Sequence, residues 1–430
     1  MTVSREMNIR VIFFGSIYDR NGAAKVVRSF AENGQLFLEY CGHHVVVFDK
    51  SEAKSIAEKA STEKECETKS SLSLFKLLKR RVKSFLGKAV MERYAKSYLG
   101  TKRYIEKNLW IERGRGIIDS YYSAGLNDDA YIFHDIFACW AYVDHCQRNG
   151  LELKKFLLVL HVGEELLKSV LIKYPIIKGT RYLKTMNRRA ETCYELAQRI
   201  VFVSERSATT FKANYPIYAD KVRFVYNGID EMPSPNPCFD GKIRMVVVGT
   251  VCKRRNQIVM LDCLELIRKH HDATITFIGG GPALEECKQR AKDLNLEQWV
   301  TFLGSIDGVA DELEKCNLFV MSSLDEGLPI AAIEAMRAKL PLVLTNVGGC
   351  RELIEDNGYL VQPNIDEIAD AVVDFGRDIE KQKKMSEASF RLFEEKFTLD
   401  AMIRGYSEII EEVFSWFVNR TKLFSSDYEY

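Results

Sequence analysis

The feature that most constrains the fold is an alternation of short apolar runs with helical patterns, which restarts once along the chain. Six runs rich in branched and aromatic residues come first, at 9–15, 44–49, 130–135, 156–161, 199–204 and 222–227. A break at 231–241 holds three of the nine prolines. Five further runs follow it, at 243–249, 273–279, 300–304, 318–323 and 340–346. Buried strands that alternate with helices build parallel sheets. The sequence therefore predicts an α/β protein with two doubly wound, Rossmann-like domains.

Length and composition agree with two folded domains. A chain of 430 residues exceeds what one ordinary hydrophobic core accommodates. We predict a domain over 1–230, a linker over 231–241, a second domain over 242–400 and a helical segment over 401–430. No run approaches the roughly 18 apolar residues of a membrane-spanning helix. Eleven cysteines without a C-x-x-C pair are typical of reduced thiols, which predicts a cytoplasmic protein.

The net charge of +1 is unevenly distributed. Residues 69–107 hold twelve Lys/Arg and two acids, and apolar residues recur within 72–90 at spacings of three and four. This pattern predicts an amphipathic basic helix that lies on an anionic membrane surface, so the protein would be peripheral on the inner face of the plasma membrane. The alternatives are an ordinary helix with a solvated basic face and a nucleic-acid patch. The overall charge argues against nucleic acid as a partner.

Residues that follow the predicted strands are the candidates for ligand binding, because doubly wound sheets bind ligands beyond the carboxyl ends of their strands. Gly15 and Gly22 flank the loop after the first strand, where a helix opens. Arg254 and Arg255 follow the run 243–249. Arginine supplies planar donors for phosphate oxygens. For each pair the alternative is an ordinary turn.

The stretch EGLPIAAIE (326–334) adds two glutamates to these candidates. Its helix is predicted to start near Leu328 to Ile330, where unpaired N–H groups attract an anion. Glu334 falls within that apolar helix, and a buried carboxylate needs a partner. We expect Glu334 to accept hydrogen bonds from a ribose diol and Glu326 to reach a sugar hydroxyl.

Several ordered motifs extend this pattern along the second half of the chain. They are GGGP (279–282), FLG (302–304), SSLDEGLPIAAIEAM (322–336), TNVGGCRELI (345–354) and NGYLVQP (357–363). Together they resemble the retaining GT-B glycosyltransferases of the large family four, the glycosyl transferases group 1. The resemblance implies two Rossmann-like domains facing a central crevice. It also implies transfer of a sugar from a nucleoside-diphosphate sugar to a glycan or lipid-linked glycan acceptor, in surface polysaccharide assembly. Neither a metal nor a cofactor is expected.

The resemblance also implies roles for individual residues. His134 and Glu326 are expected to be catalytic, with His134 orienting the donor sugar and Glu326 contacting it. The expected donor-binding residues are Gly22, Arg254, Arg255, Leu303, Gly327, Leu328, Pro329, Ile330 and Glu334. His161 matches a second histidine that recurs in the family. The segment 401–430 is expected to cross back to the first domain.

One departure from the family pattern lies in GTVCKRRN (249–256), where the family has G-R-L-x-x-x-K-G. Thr250 replaces the arginine, and Arg255 stands at the lysine position, so Arg254 is expected to substitute for the missing charge. Thr250 and the altered NGAAK (21–25) favour an alternative, a non-catalytic nucleotide-sugar-binding subunit. A GT-B-like nucleotide-sugar epimerase is a further alternative.

Overall fold

The computed structural model describes residues 6–19, 22–55, 93–161, 167–232 and 236–414. Within them, twelve strands form two six-stranded sheets. The strands of the first sheet are β1 Asn8–Ile12, β2 His44–Phe48, β3 Ala130–Phe133, β4 Lys155–Leu160, β5 Arg199–Phe202 and β6 Val222–Phe224. Those of the second are β7 Ile243–Val248, β8 Ala273–Ile278, β9 Val300–Gly304, β10 Leu318–Met321, β11 Leu342–Thr345 and β12 Gly358–Val361.

The first sheet has the strand order β2-β1-β3-β4-β5-β6. β1 pairs in parallel with β2 and β3, and β3 with β4. All four residues of β3 are buried, as expected for a strand with helices on both faces. All six predicted runs contain a strand, although the run 222–227 keeps only its first three residues as β6.

The second sheet has the order β12-β11-β10-β7-β8-β9 and is parallel throughout. In its hydrophobic core, strand residues such as Met245, Ile275 and Val320 pack with helix residues such as Leu264 and Val372. β12 was not among the predicted strands, because its four residues are mostly half-buried and carry a weak apolar signal. The strand order reverses between β10 and β7, which is where a doubly wound sheet opens a ligand crevice.

Helices connect the strands. Those before β7 are Gly22–Glu32, Gly34–Cys41, Tyr98–Ile105, Gly116–Ser123, Ile136–Asn149, Lys168–Lys173, Arg181–Leu196 and Glu205–Asn214. Those after it are Val259–Ile267, Leu284–Asp293, Val309–Leu313, Ile330–Arg337, Ile365–Phe375, Ile379–Lys396 and Leu399–Phe414. A π-helix spans Glu106–Arg115, and 3-10 helices span Pro175–Ile177, Pro216–Lys221, Glu297–Trp299 and Gly348–Leu353. The predicted α/β class with two doubly wound sheets is confirmed.

The chain divides into two compact units. Unit 1 comprises Met1–Asp19, Phe30–Val159 and Tyr174–Ile200, and unit 2 comprises Arg20–Ser29, Leu160–Lys173 and Val201–Tyr430. The predicted domain boundary at 231–241 stays a prediction. In the described parts of the chain, no helix combines the length and apolar character needed to cross a membrane. The predicted basic helix at 72–90 lies outside the described residues.

Candidate functional site

A cavity of about 350 Å³ lies in unit 2, where the chain leaves the carboxyl ends of β7 and β10. These are the two strands between which the sheet order reverses, so the cavity occupies the position where such sheets bind ligands. Its lining includes nine of the predicted site residues, Gly22, Arg254, Arg255, Glu326, Gly327, Leu328, Pro329, Ile330 and Glu334. Leu303 does not line it. Lys25, Asn227 and His161 also face it.

The helix Ile330–Arg337 directs its first turn toward this cavity. Pro329 precedes the helix with an extended backbone, and Leu328 to Ala331 are cavity-lining residues. The side-chain amide of Asn227 donates a buried hydrogen bond of 2.9 Å to the carbonyl oxygen of Leu328, which fixes the entry to the helix. The first N–H groups of a helix have no acceptor within it and attract negative charge. This end of the helix can therefore receive an anion.

Glu334 has a charged partner that sequence analysis missed. Its Oε1 accepts a hydrogen bond from Nζ of Lys25, which belongs to the helix Gly22–Glu32. The Glu334 side chain is 13% exposed and that of Lys25 is 36% exposed. The two helices also approach at Gly22, where a Cβ atom would lie 3.3 Å from Cγ1 of Ile330. Glu334 is therefore held at the cavity wall by an ion pair.

Glu326 is buried between the two arginines. Its Oε1 lies 2.8 Å from Nη1 of Arg255 and 3.2 Å from Nη1 of Arg254, and its side chain is only 6% exposed. Arg254 also donates a hydrogen bond to the carbonyl oxygen of Asp325. Burial opposes the charged form of Arg254, but the carboxylates of Glu326 and Asp325 outweigh it and raise its pKa above the ordinary value. Two guanidinium groups thus surround one carboxylate.

Backbone contacts hold the loop that carries Glu326. Gly348 has φ of +49°, and a Cβ atom there would lie 1.8 Å from the carbonyl oxygen of Glu326. The N–H of Gly349 donates to the carbonyl oxygen of Gly327 at 2.7 Å. On the other side, the N–H of Leu324 donates to the carbonyl oxygen of Arg254 at 2.8 Å. The GG step of TNVGG therefore lets two loops approach closely at the cavity.

The two candidate histidines lie in different units. His134 follows β3 in unit 1, is 2% exposed and packs edge-on against Phe30 with ring centroids 5.2 Å apart. Its proposed role toward the donor stays a prediction. His161 follows β4 and lines the cavity, where burial lowers its pKa to about 4. It is therefore a neutral imidazole near pH 7. Among the described residues, no cluster of three or more His, Cys, Asp and Glu side chains is arranged to hold a metal ion.

The fold and the cavity together define a doubly wound α/β protein with a crevice at its switch point. Residues 229–391 match the family described as glycosyl transferases group 1. The predicted resemblance to this family is therefore confirmed for this part of the chain.

Curated relatives carry related names. The O-antigen biosynthesis glycosyltransferase WbnH of Escherichia coli is 28% identical over 197 residues, which is 46% of this chain and 55% of that protein. N-acetyl-alpha-D-glucosaminyl L-malate synthase of Bacillus anthracis is 31% identical over 245 residues, which is 56% of this chain and 58% of that protein. The chain thus spans little more than half the length of these relatives.

Solved structures share the fold over nearly the whole chain. The Anabaena protein HepE, crystallised in complex with UDP and glucose, superposes with a TM-score of 0.63 at 15% identity. The match covers 94% of this chain and 100% of HepE. The predicted GT-B fold is confirmed.

Proposed function

We propose that the protein is a retaining glycosyltransferase that moves a sugar from a nucleoside-diphosphate sugar to a glycan or lipid-linked glycan acceptor. The observation that carries this proposal is the gathering of an arginine pair, a helix N-terminus and two glutamates around one cavity of about 350 Å³. Cations and helix N–H groups suit a diphosphate, and carboxylates suit the hydroxyl groups of two sugars. The HepE complex with UDP and glucose supports the same ligand class, and WbnH is named a glycosyltransferase.

In this proposal each side of the cavity holds one part of the donor. Arg255 and the first turn of Ile330–Arg337 bind the diphosphate. Glu334 binds the ribose, exchanging its ion pair with Lys25 for the sugar hydroxyls. Glu326 lies on the side of the transferred sugar, and Leu303 is assigned to the donor through the family resemblance alone.

The chemistry requires stabilisation of the diphosphate as charge develops on the leaving oxygen. Preorganised guanidinium and N–H donors supply this stabilisation, so the proposal includes no metal or cofactor. Attack by the acceptor on the same face as the leaving group gives retention, and the departing phosphate accepts the acceptor's proton. His134 is assigned to orienting the donor sugar through the family resemblance alone.

A thermal-shift screen against UDP-, GDP- and ADP-sugars tests the donor assignment. A ligand at a hundred times its dissociation constant adds about 2.7 kcal/mol to the free energy of unfolding, which raises the unfolding temperature measurably. The sugar that stabilises the protein is then incubated with glycan acceptors, and released nucleoside diphosphate and the anomeric configuration of the product are measured. The absence of any stabilising nucleotide sugar contradicts the proposal.

A specific observation keeps the non-catalytic subunit as a second candidate. Thr250 lines the cavity where the family has arginine, and both nearby arginines contact Glu326. Donor binding without transfer or hydrolysis, under conditions in which the acceptor is present, would favour that candidate. Interconversion of a donor without an acceptor would instead favour an epimerase.

A further inference from the structure

Two segments of unit 1 combine positive charge with exposed apolar side chains. Residues 93–104 contain four Lys/Arg, residues 174–190 contain five, and neither segment contains Asp or Glu. The segments are neighbours in the fold, since the ring of Tyr104 lies 5.9 Å from that of Tyr174. Nζ of Lys102 also lies 5.6 Å from the ring centre of Tyr182. We call their joint exposed surface the basic face.

The apolar residues of the basic face are unusually exposed. In the helix Tyr98–Ile105, the residues Gly100, Thr101 and Ile105 point inward and are buried. Leu99 is 64% exposed. Lys102 and Arg103 follow it at i+3 and i+4, so they are its neighbours on the helix surface. Ile176 is 44% exposed and is followed by Lys178 and Arg181. Each segment therefore presents an apolar tip flanked by cations.

Only part of the charge of the basic face is balanced within the fold, where Arg189 pairs with Glu106 at 2.8 Å. Across the described parts of the chain, no carboxylate forms an ion pair with Arg103, Lys178, Arg181 or Lys184. Arg181 and Lys184 also stand in the first turn of the helix Arg181–Leu196, which has no acid there. Positive charge at a helix N-terminus opposes the helix dipole. These cations thus cost stability and are expected to serve an external anion.

We propose that the basic face binds an anionic lipid bilayer. Cations surrounding exposed leucine, isoleucine and tyrosine side chains are the pattern of a surface that lies at the lipid interface. The apolar tips would insert among the headgroups while the cations contact lipid phosphates. The exposed side chains of Leu99 and Ile176, each with cations beside it, suit an anionic bilayer, which offers phosphates to the cations and an apolar interior to the tips. This inference concerns unit 1 alone and does not depend on the proposed transfer reaction.

Sedimentation of the full-length protein with vesicles tests the proposal. The vesicles are phosphatidylcholine alone or with 30 mol% phosphatidylserine, at low and high salt. The basic-face variant carries Arg103→Gln, Lys178→Gln and Lys184→Gln. The control carries Lys269→Gln, Lys292→Gln and Lys384→Gln, three exposed lysines of unit 2. A third variant, Leu99→Ser with Ile176→Ser, removes the apolar tips without changing charge.

We expect the wild-type protein and the control to bind anionic vesicles with equal affinity. The basic-face variant should bind about 100-fold more weakly at low salt, since each cation contributes on the order of 1 kcal/mol at an anionic surface. The Leu99→Ser/Ile176→Ser variant should lose binding at both salt concentrations, because insertion of apolar side chains is not screened. Equal binding by the basic-face variant and the control overturns the proposal. Self-association at low salt that the same substitutions abolish also overturns it, and assigns the face to a second copy of the chain.

Discussion

At the residue scale, the two arginines of the cavity use their donors differently. Nη1 of Arg254 donates to the carbonyl oxygen of Asp325 and lies 3.2 Å from Glu326. Arg255 contacts the same carboxylate, but its buried Nε has no hydrogen-bond partner among the described residues. A ligand anion can therefore gain more binding free energy from Arg255, which keeps an unsatisfied donor, than from Arg254. Arg254 is better placed to hold the loop that carries Glu326.

This division predicts different effects of two matched substitutions. Arg255→Gln should weaken UDP binding about 10- to 100-fold, because a charge-assisted hydrogen bond contributes about 1.5–3 kcal/mol. Arg254→Gln should weaken it less than about threefold, while lowering the rate of sugar transfer because Glu326 loses its position. Calorimetric titration with UDP and initial-rate measurements separate the two effects. Equal loss of UDP affinity in both variants would make Arg254 a direct ligand.

Glu334 should discriminate a ribose from its deoxy form. In the wild-type protein, 2′,3′-dideoxy-UDP should bind about 10- to 100-fold more weakly than UDP, since a charge-assisted bond to the diol is lost. In Glu334→Gln this difference should shrink, while the unfolding temperature changes little because the partner Lys25 is 36% exposed. Lys25→Gln serves as the control, because it releases Glu334 and should not lower UDP affinity. An unchanged ratio of the two affinities in Glu334→Gln would refute the ribose assignment.

His161 should make stability depend on pH. Burial lowers its pKa to about 4 in the folded protein, against about 6.5 for an unperturbed histidine. Between these two pKa values the unfolded chain binds more protons than the folded protein. The contribution of His161 to the free energy of unfolding is therefore full above about pH 6.5 and is lost as the pH falls toward 4. When the pH is lowered from 7 to 5, the free energy of unfolding of the wild-type protein should therefore fall by about 1–2 kcal/mol more than that of His161→Gln. Urea unfolding of both proteins at each pH measures the difference, and parallel losses would contradict it.

At the scale of elements, sequence composition predicts strands far better than side-chain pairs. Five strands of the second sheet were predicted because each is a short run of apolar, largely branched side chains. In β10 and β11 all four residues are buried. The arginines and the loop before Ile330–Arg337 were placed at one crevice because they follow parallel strands. The ion pair between Lys25 and Glu334 could not be predicted, because its members are 309 positions apart. The sequence did hold one sign that Lys25 needs a partner, because it stands near the start of a helix, where the helix dipole disfavours positive charge.

The contact between the two glycine-bearing loops should control the position of Glu326. Gly348→Ala introduces a side chain at φ of +49° and 1.8 Å from the carbonyl oxygen of Glu326, so the loop must move. Gly42→Ala is a matched control, because Gly42 also has positive φ, +68°, but a Cβ atom there meets nothing within 4 Å. Backbone strain at positive φ should lower the free energy of unfolding of both variants by about 1 kcal/mol. Only Gly348→Ala should also lower UDP-sugar affinity, by tenfold or more. Titration of both variants with the same UDP-sugar measures this, and equal affinities would show that the loop tolerates the shift.

At the scale of the whole molecule, charge is segregated along the chain. The net charge is +1, yet residues 69–107 contain twelve Lys/Arg and two acids, so the rest of the sequence is acidic. Segregated charge acts on partners and membranes rather than on the fold. The part of this segment from 93 onward contributes to the basic face, and the part from 72 to 90 is predicted from its sequence to be an amphipathic helix. Both would act on the same anionic surface.

The segment 72–90 should add to membrane binding independently of the basic face. Replacing Lys79, Arg80 and Lys83 with glutamine removes three cations, each worth on the order of 1 kcal/mol near an anionic bilayer, and salt should reduce the difference. Because separate sites contribute additively to the free energy, combining these changes with the basic-face substitutions should multiply the two losses of affinity. Turnover of a water-soluble acceptor should be unaffected, since the donor cavity is lined by other residues. Vesicle sedimentation and turnover are measured for the wild type, both triple variants and their combination. Equal sedimentation of the wild type and the Lys79/Arg80/Lys83 variant would show that 72–90 carries only a solvated basic face.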